Sequence, residues 1–289
     1  MSSVIYSLVL YDSQISNFCA TMDELTVKEF IHAFPHDLPT IPYHIKKNLL
    51  ELTPVNEDIQ KMHSWNPNDK SLLLQVKEND FNTVYRSPMA QTTDCIRLKQ
   101  GYSNGIHAWE FKWNPLKRGT HAIVGVAEKS ANLHSYGYTS VVGSYRDSWG
   151  FDINRNKLFH SHLITNNSEP YPIRDKRKLM NITIPETFIM ILDMNVGTLS
   201  FIVDNEYLGV AFKNLNEKVL YPIVNVVYGR AEITCRYLWG VPPSLLGSCR
   251  KIIRTQVKNY EELCEHPFIV RESHPFRALP LILIRYILK

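Results

Sequence analysis

Residues 101–113 read GYSNGIHAWEFKW. A short polar link, Tyr102-Ser103-Asn104-Gly105, runs straight into Trp109, Phe111 and Trp113. Large aromatics at every second position stand on one face of an extended strand, and a Gly-containing polar link ahead of them is hairpin chemistry. The same period of two recurs downstream in Leu199, Phe201 and Val203 and again in Ile233, Cys235 and Tyr237. Asn195-Val196-Gly197 and Asp204-Asn205-Glu206 supply further polar links between apolar runs. Many short alternating strands over about residues 62–239 predict a mainly β domain, a sandwich of antiparallel sheets.

The flanks read differently. Residues 1–60 form an N-terminal extension that mixes helix-like pieces, Thr26–Phe34 and Tyr43–Leu52, with breakers such as Pro39 and Pro42. The predicted strand Ile233–Leu238 leads to Pro242-Pro243, which cannot continue a ladder, so the β domain is expected over 61–240. In the remaining stretch, 241–289, Ser244 is a candidate helix cap. Leu245, Cys249, Ile252, Ile253 and Val257 follow it as one apolar helical stripe. Gly247 within that helix costs about 1 kcal/mol relative to Ala, so the helix should depend on packing.

Composition narrows the function. The chain has 289 residues, 44% hydrophobic and 21% charged, enough for a substantial core and unlike a disordered or collagen-like chain. The net charge of +4 lies entirely beyond residue 239. There eight Lys/Arg face four Asp/Glu, against 24 and 24 before it, and the basic residues are dispersed among apolar ones. Nucleic-acid binding wants a dense basic stripe, so no nucleic-acid partner is expected. The most apolar stretch, Leu279–Leu288, is short and carries Arg285, so no membrane association is expected either. Five cysteines without a CxxC pair fit reduced thiols, and no secretory leader is evident after Met1, which places the expected location in the cytosol or nucleus.

No enzyme motif is present: there is no GxSxG elbow, Walker loop, GxGxxG fingerprint or HExxH helix. His160-Ser161-His162 offers two ring nitrogens on one strand face, but no third ligand is near in sequence. Asp193, Asn195, Asp204 and Asn205 lack calcium-loop spacing and fit hairpin ends better. No metal or cofactor is expected. Cys249 lies on the apolar helical stripe, where a cysteine packs as a small hydrophobe.

Against this background, several runs resemble the SPRY domain-containing SOCS box family, the Gustavus-like proteins: HSWNPNDKSLLLQVKEN (63–79), RSPMAQTTDCIR (86–97), GYSNGIHAWEFKW (101–113), RGTHAIVGVA (118–127), LHSYGYTSVVG (133–143), SWGFDINRNKLFH (148–160), LDMNVGTLSFIVDNEYLGVAF (192–212) and LYPIVNVVYG (220–229). The resemblance covers roughly residues 49–289. It implies a SPRY (B30.2-like) β-sandwich followed by a small α-helical SOCS box, and a non-catalytic role as the substrate-recognition adaptor of an elongin B/C cullin-RING ubiquitin ligase.

In that family the sandwich captures Asp-Ile-Asn-Asn-Asn-type peptides of client proteins, which are then ubiquitinated and degraded. The matching positions here are Arg86, Pro88, Ala90, Gly119, Thr120, Tyr138, Val141, Val227, Tyr228 and Gly229, with the Arg86 guanidinium and Tyr138 hydroxyl as candidate donors. Tyr228 stands where a tryptophan is usual. Seven of the ten positions also have a plain structural reading: strand-end packing for Pro88, Ala90, Val141 and Val227, turn glycines for Gly119 and Gly229, and a surface ion pair for Arg86.

Leu245, Cys249 and Ile253 resemble the elongin-binding edge of a SOCS box, and Leu279-Pro280-Leu281 its cullin box. Ile282 stands where a second proline is usual, a departure that bears on the expected choice of cullin-5. Two rival functions remain at this stage. One is a SPRY module that sequesters or localises partners without ubiquitination, and the other is a hydrolase assembled from separate loops.

Overall fold

The computed structural model describes residues 41–242 except 51, 176–177 and 180–181. Two antiparallel sheets face each other. The first is eight-stranded and runs, edge to edge, Trp65–Lys70, Thr92–Leu98, Tyr221–Val226, Ile123–Ala127, Ser148–Asp152, Lys157–Phe159 and Glu169–Pro170, with His134–Tyr136 also pairing on Thr92–Leu98. The second is seven-stranded, in the order Glu206–Phe212, Thr198–Val203, Thr187–Asp193, Ile106–Trp113, Glu232–Val241, Asp80–Arg86 and Leu74–Lys77.

Period-two alternation builds the layer between them. Trp109, Phe111 and Trp113 are fully buried there with Leu199, Phe201, Val203, Ile233, Cys235 and Tyr237 from the same sheet. Ile96, Leu98, Val124, Val126, Phe151, Val224 and Val226 meet them from the other. The predicted Asp204-Asn205 link is a tight hairpin with both residues at positive φ, 50° and 64°. Asp193 Oδ1 accepts from the backbone N–H groups of Asn195 (2.9 Å) and Val196 (3.2 Å), an Asx turn that accounts for this acidic residue at the hairpin end.

Both sheets also bury their outer faces in part. On the first, Cys95, Ile123 and Ile223 are covered by Ala131, Val141, Val142 and Phe159. On the second, Ile106, Ala108, Ile191 and Ile202 are covered by Ile45 of the helix Tyr43–Leu50. Within the stretch 1–60 expected as an N-terminal extension, Ile45 is packed on the second sheet. The helix Glu57–Met62, capped by Asn56, clasps the second sheet: Gln60 Nε2 donates to Tyr237 O (2.7 Å) and Gln60 Oε1 accepts from Tyr237 N (3.0 Å).

The strand expected over Ile233–Leu238 runs from Glu232 to Val241 and stops at Pro242. The two histidines expected to share a strand face do not. The strand ends at Phe159, and Ser161 takes φ 55°, so His160 Nδ1 turns to Ser148 O and His162 Nδ1 to Gly143 O, 2.9 Å each. Among the described residues, no helix is long and apolar enough to cross a membrane.

Candidate functional site

At one end of the sandwich four loops converge on a recess of about 500 Å³ lined by Pro88, Met89, Ala90, Gly119, Thr120, Tyr138, Val227, Tyr228 and Gly229. Eight of the ten positions singled out in the sequence meet there, and Met89 joins them. Tyr138, Tyr228 and Met89 form a half-exposed rim (46%, 42% and 54%), while Val227 is buried at the base. A wide apolar concavity with aromatic walls and loop backbone at its edges suits an extended peptide, whose side chains want pockets and whose amides want partners.

Two glycines permit the loops to close on one another. Gly119 sits at φ +69°, and a Cβ there would lie 2.9 Å from Val227 Cγ2 and 3.3 Å from Tyr228 Cβ. A Cβ on Gly229 would come within 2.9 Å of Pro88 Cα. Both are therefore close-approach positions between the 88–90, 119–120 and 227–229 walls.

Arg86 is placed differently from expectation. It was read as a pocket donor or a surface ion pair, but it is fully buried and does not line the recess. Its Nε and Nη2 donate to Asp94 Oδ2 (3.0 and 2.9 Å), Nη1 and Nη2 to Met89 O (3.2 Å each), and Nη2 to Thr92 O (3.1 Å) and Thr92 Oγ1 (2.6 Å). A guanidinium withdrawn from water must satisfy its donors internally, and here the 87–92 loop supplies its carbonyls for that purpose. Arg86 thus shapes the wall that carries Pro88, Met89 and Ala90 and is a positioning residue.

Its partner Asp94 extends the network. Oδ2 also accepts from Thr92 Oγ1 (3.1 Å), while Oδ1 accepts from Ser71 Oγ and lies 3.1 Å from His134 Nδ1. Next to it, Thr93 Oγ1 donates to Gly137 O (2.8 Å) and accepts from Thr139 N (2.9 Å), which pins the turn presenting Tyr138.

Asn225, fully buried in the neighbouring strand, anchors the other side. Its Nδ2 donates to His121 O (2.8 Å) and its Oδ1 accepts from Val141 N (2.9 Å), joining the 119–121 loop to the 138–142 loop. Val141, expected in the pocket, is instead packed in the outer-face cluster of the first sheet. Its side chain follows the apolar neighbours Val142 and Ile123, and its amide is taken up by Asn225.

Sequence reasoning missed Asp94 and Asn225 as supports. The available signal was a charged residue inside TTDCIRL and an amide inside YPIVNV, two strands that are otherwise almost wholly buried. The expected elongin-binding residues Leu245, Cys249 and Ile253 and the cullin-binding residues Leu279, Pro280 and Leu281 lie outside the described residues, as does Ile282.

The comparisons with known proteins agree with this architecture. A family model for the SPRY domain matches residues 106–237. The chain is 47% identical over 220 residues to protein gustavus of Drosophila melanogaster, covering 74% of this chain and 78% of that one. It is 48% identical over 209 residues to human SPRY domain-containing SOCS box protein 1, covering 71% and 76%. To human SPRY domain-containing SOCS box protein 2 it is 40% identical over 211 residues, covering 72% and 79%. Identity of this order over more than two thirds of the chain means that the chain belongs to the family of SPRY domain-containing SOCS box proteins.

Proposed function

We propose that the protein is the client-recognition adaptor of an elongin B/C cullin-RING ubiquitin ligase and that its end-of-sandwich recess holds an Asp-Ile-Asn-Asn-Asn-type segment of the client. The observation that carries this reading is the convergence of Pro88, Ala90, Gly119, Thr120, Tyr138, Val227, Tyr228 and Gly229, scattered over more than 140 positions of sequence, onto one recess. The SOCS box named in the two human relatives supports the other half.

The protein performs no bond chemistry in this role. It holds an unstructured client tag at one site and the ligase at another, so that ubiquitin transfer gains from effective concentration. A peptide affinity of about −8 to −12 kcal/mol, micromolar to nanomolar, is adequate. Leu245, Cys249 and Ile253 would present the edge that enters elongin C, and Leu279, Pro280 and Leu281 would approach the cullin, with cullin-5 the family expectation despite Ile282. Work in the cytosol or nucleus follows from such partners.

The test joins both halves. The intact chain is expected to co-purify elongin B and elongin C and to bind a synthetic Asp-Ile-Asn-Asn-Asn peptide. Leu245→Asp and Cys249→Asp are expected to abolish elongin capture with peptide affinity unchanged. Peptide binding without elongin capture by the unmutated chain would leave a sequestering module in place of a ligase adaptor, and absence of peptide binding would remove the assigned client class.

A further inference from the structure

The peptide recess is short of hydrogen-bond acceptors. Its lining holds no carboxylate and no side-chain amide, and three of its wall carbonyls are already engaged: Met89 O by Arg86 Nη1 (3.2 Å), Gly119 O by Asn154 Nδ2 (2.7 Å) and Tyr228 O by Ala231 N (3.3 Å). An Asn-rich segment brings the opposite need, two N–H groups on each carboxamide and one on each backbone amide. The side-chain oxygens that line the recess are the hydroxyls of Thr120, Tyr138 and Tyr228.

Thr120 differs from the two tyrosines. Of the three hydroxyls it alone has a side-chain partner among the described residues, because its Oγ1 lies 2.9 Å from Nδ1 of the next residue, His121. The loop is held on both sides of the threonine: Gly119 O is tied by Asn154, and His121 O accepts from the buried Asn225 Nδ2 (2.8 Å). The pair is therefore fixed in place, with Thr120 exposed at the recess and the His121 ring half-buried behind it.

A hydroxyl has one proton, so the state of the ring decides which way that proton is offered. A neutral ring with its hydrogen on Nε2, the tautomer a free histidine side chain prefers, accepts at Nδ1, and the threonine oxygen then turns its lone pairs to the recess. A protonated ring donates at Nδ1 and turns the threonine proton outward instead. The groups facing the ring favour the neutral form. Burial, the Arg155 guanidinium and His162 hold its pKa below the ordinary histidine value, against the opposing pull of Asp152.

We infer that His121 is a positioning residue of the recess: its neutral ring takes up the Thr120 hydroxyl proton and so makes Thr120 an acceptor for an N–H of the client. The inference rests on the proposed client-binding role and adds a proton requirement to it. Client binding and ring protonation oppose each other, so affinity is expected to fall as pH drops below the ordinary histidine range.

The experiment titrates the full chain with a synthetic Asp-Ile-Asn-Asn-Asn peptide by calorimetry at about pH 7.5 and about pH 5, on either side of the histidine range. The unmutated chain is expected to bind about two- to tenfold more weakly at the lower pH, the worth of one hydrogen bond. Thr120→Val, which lacks the hydroxyl, is expected to bind more weakly than the unmutated chain at the higher pH and to lose the dependence. Thr120→Ser is expected to keep it, as is His63→Phe. A dependence that survived Thr120→Val, or an unmutated chain whose affinity did not change with pH, would overturn the inference and leave the recess reading standing.

A separate measurement covers failure of the motif itself. Nitrogen NMR of the free protein at about pH 7.5 reports which ring nitrogen of His121 carries the hydrogen. An unprotonated Nδ1 whose resonance moves in Thr120→Val would keep the hydroxyl assignment while the motif falls. A hydrogen on Nδ1, or no response to Thr120→Val, would sink it.

Discussion

The rim of the recess and the frame beneath it are made from opposite materials. Met89, Tyr138 and Tyr228 are about half exposed and uncharged, whereas Arg86, Asp94 and Asn225 are wholly buried and polar. Rim residues present surface to solvent and ask little of the fold. Frame residues lie off the recess surface but decide where four loops lie, because Arg86 and Asn225 are satisfied by the backbone of the loops they hold and Asp94 holds Arg86. The contrast teaches that residues singled out together by resemblance divide into those that line the recess and those that set its shape.

Removing half of the buried ion pair should have the largest effect. Arg86→Ala leaves the Asp94 carboxylate uncompensated and frees the 87–92 loop, so unfolding by urea is expected to show a loss of about 3–5 kcal/mol, with peptide binding lost as well. A rim change should separate the two quantities. Tyr138→Ala is expected to weaken an Asn-rich peptide by about 2 kcal/mol in calorimetry while the melting temperature stays put. If Tyr138→Ala proved as destabilising as Arg86→Ala, the division between rim and frame would be wrong.

Gly119→Ala tests the boundary between them. The positive φ and the close approach to Val227 predict a stability loss of about 1 kcal/mol together with weaker peptide binding, read from a denaturation midpoint and a titration on one sample.

The smallest expected effect lies far from the recess and serves as its control. His63 stacks on Tyr237 with ring centroids 3.8 Å apart and places Nδ1 against the Tyr102 hydroxyl. Burial, helped by repulsion from His107, lowers its pKa from 6.5 to about 4. The unfolded chain therefore binds this proton first, and stability is expected to fall as pH drops from about 6.5 toward 4, a decline that His63→Phe should flatten in a series of urea midpoints. Peptide affinity should not follow that change if frame and control region are independent.

What the sequence made legible follows the range of the physics involved. Alternation is local, so Trp109, Phe111 and Trp113, Leu199, Phe201 and Val203, and Ile233, Cys235 and Tyr237 all reach the core they announce. Covering of an outer face is not local: nothing near Ile106 or Ile191 in sequence says that Ile45 will lie across them. Arg86 was misplaced for the same reason, since its pairing with Asp94 depends on a loop folding back between them. His160 and His162 were misread because one left-handed residue, Ser161, breaks the alternation that would have aligned them. The site itself was legible mainly through family likeness, and pattern alone would have left Gly119 and Gly229 as ordinary turn glycines.

One strand ties the two ends of the molecule. Glu232–Val241 begins just after the Val227–Gly229 wall, ends one residue before 243–289, and is hydrogen-bonded to Ile106–Trp113 from Ile233 to Val241 and to Asp80–Arg86 at Glu232–Thr234. Ten extended residues span about 30 Å. A strand held in register along one neighbour and gripped at its start by a second resists sliding as a strut does. The distance from the recess wall to Val241 is thereby set by the length of one rod and not by a flexible tether, and inserting or deleting residues within it would change that distance.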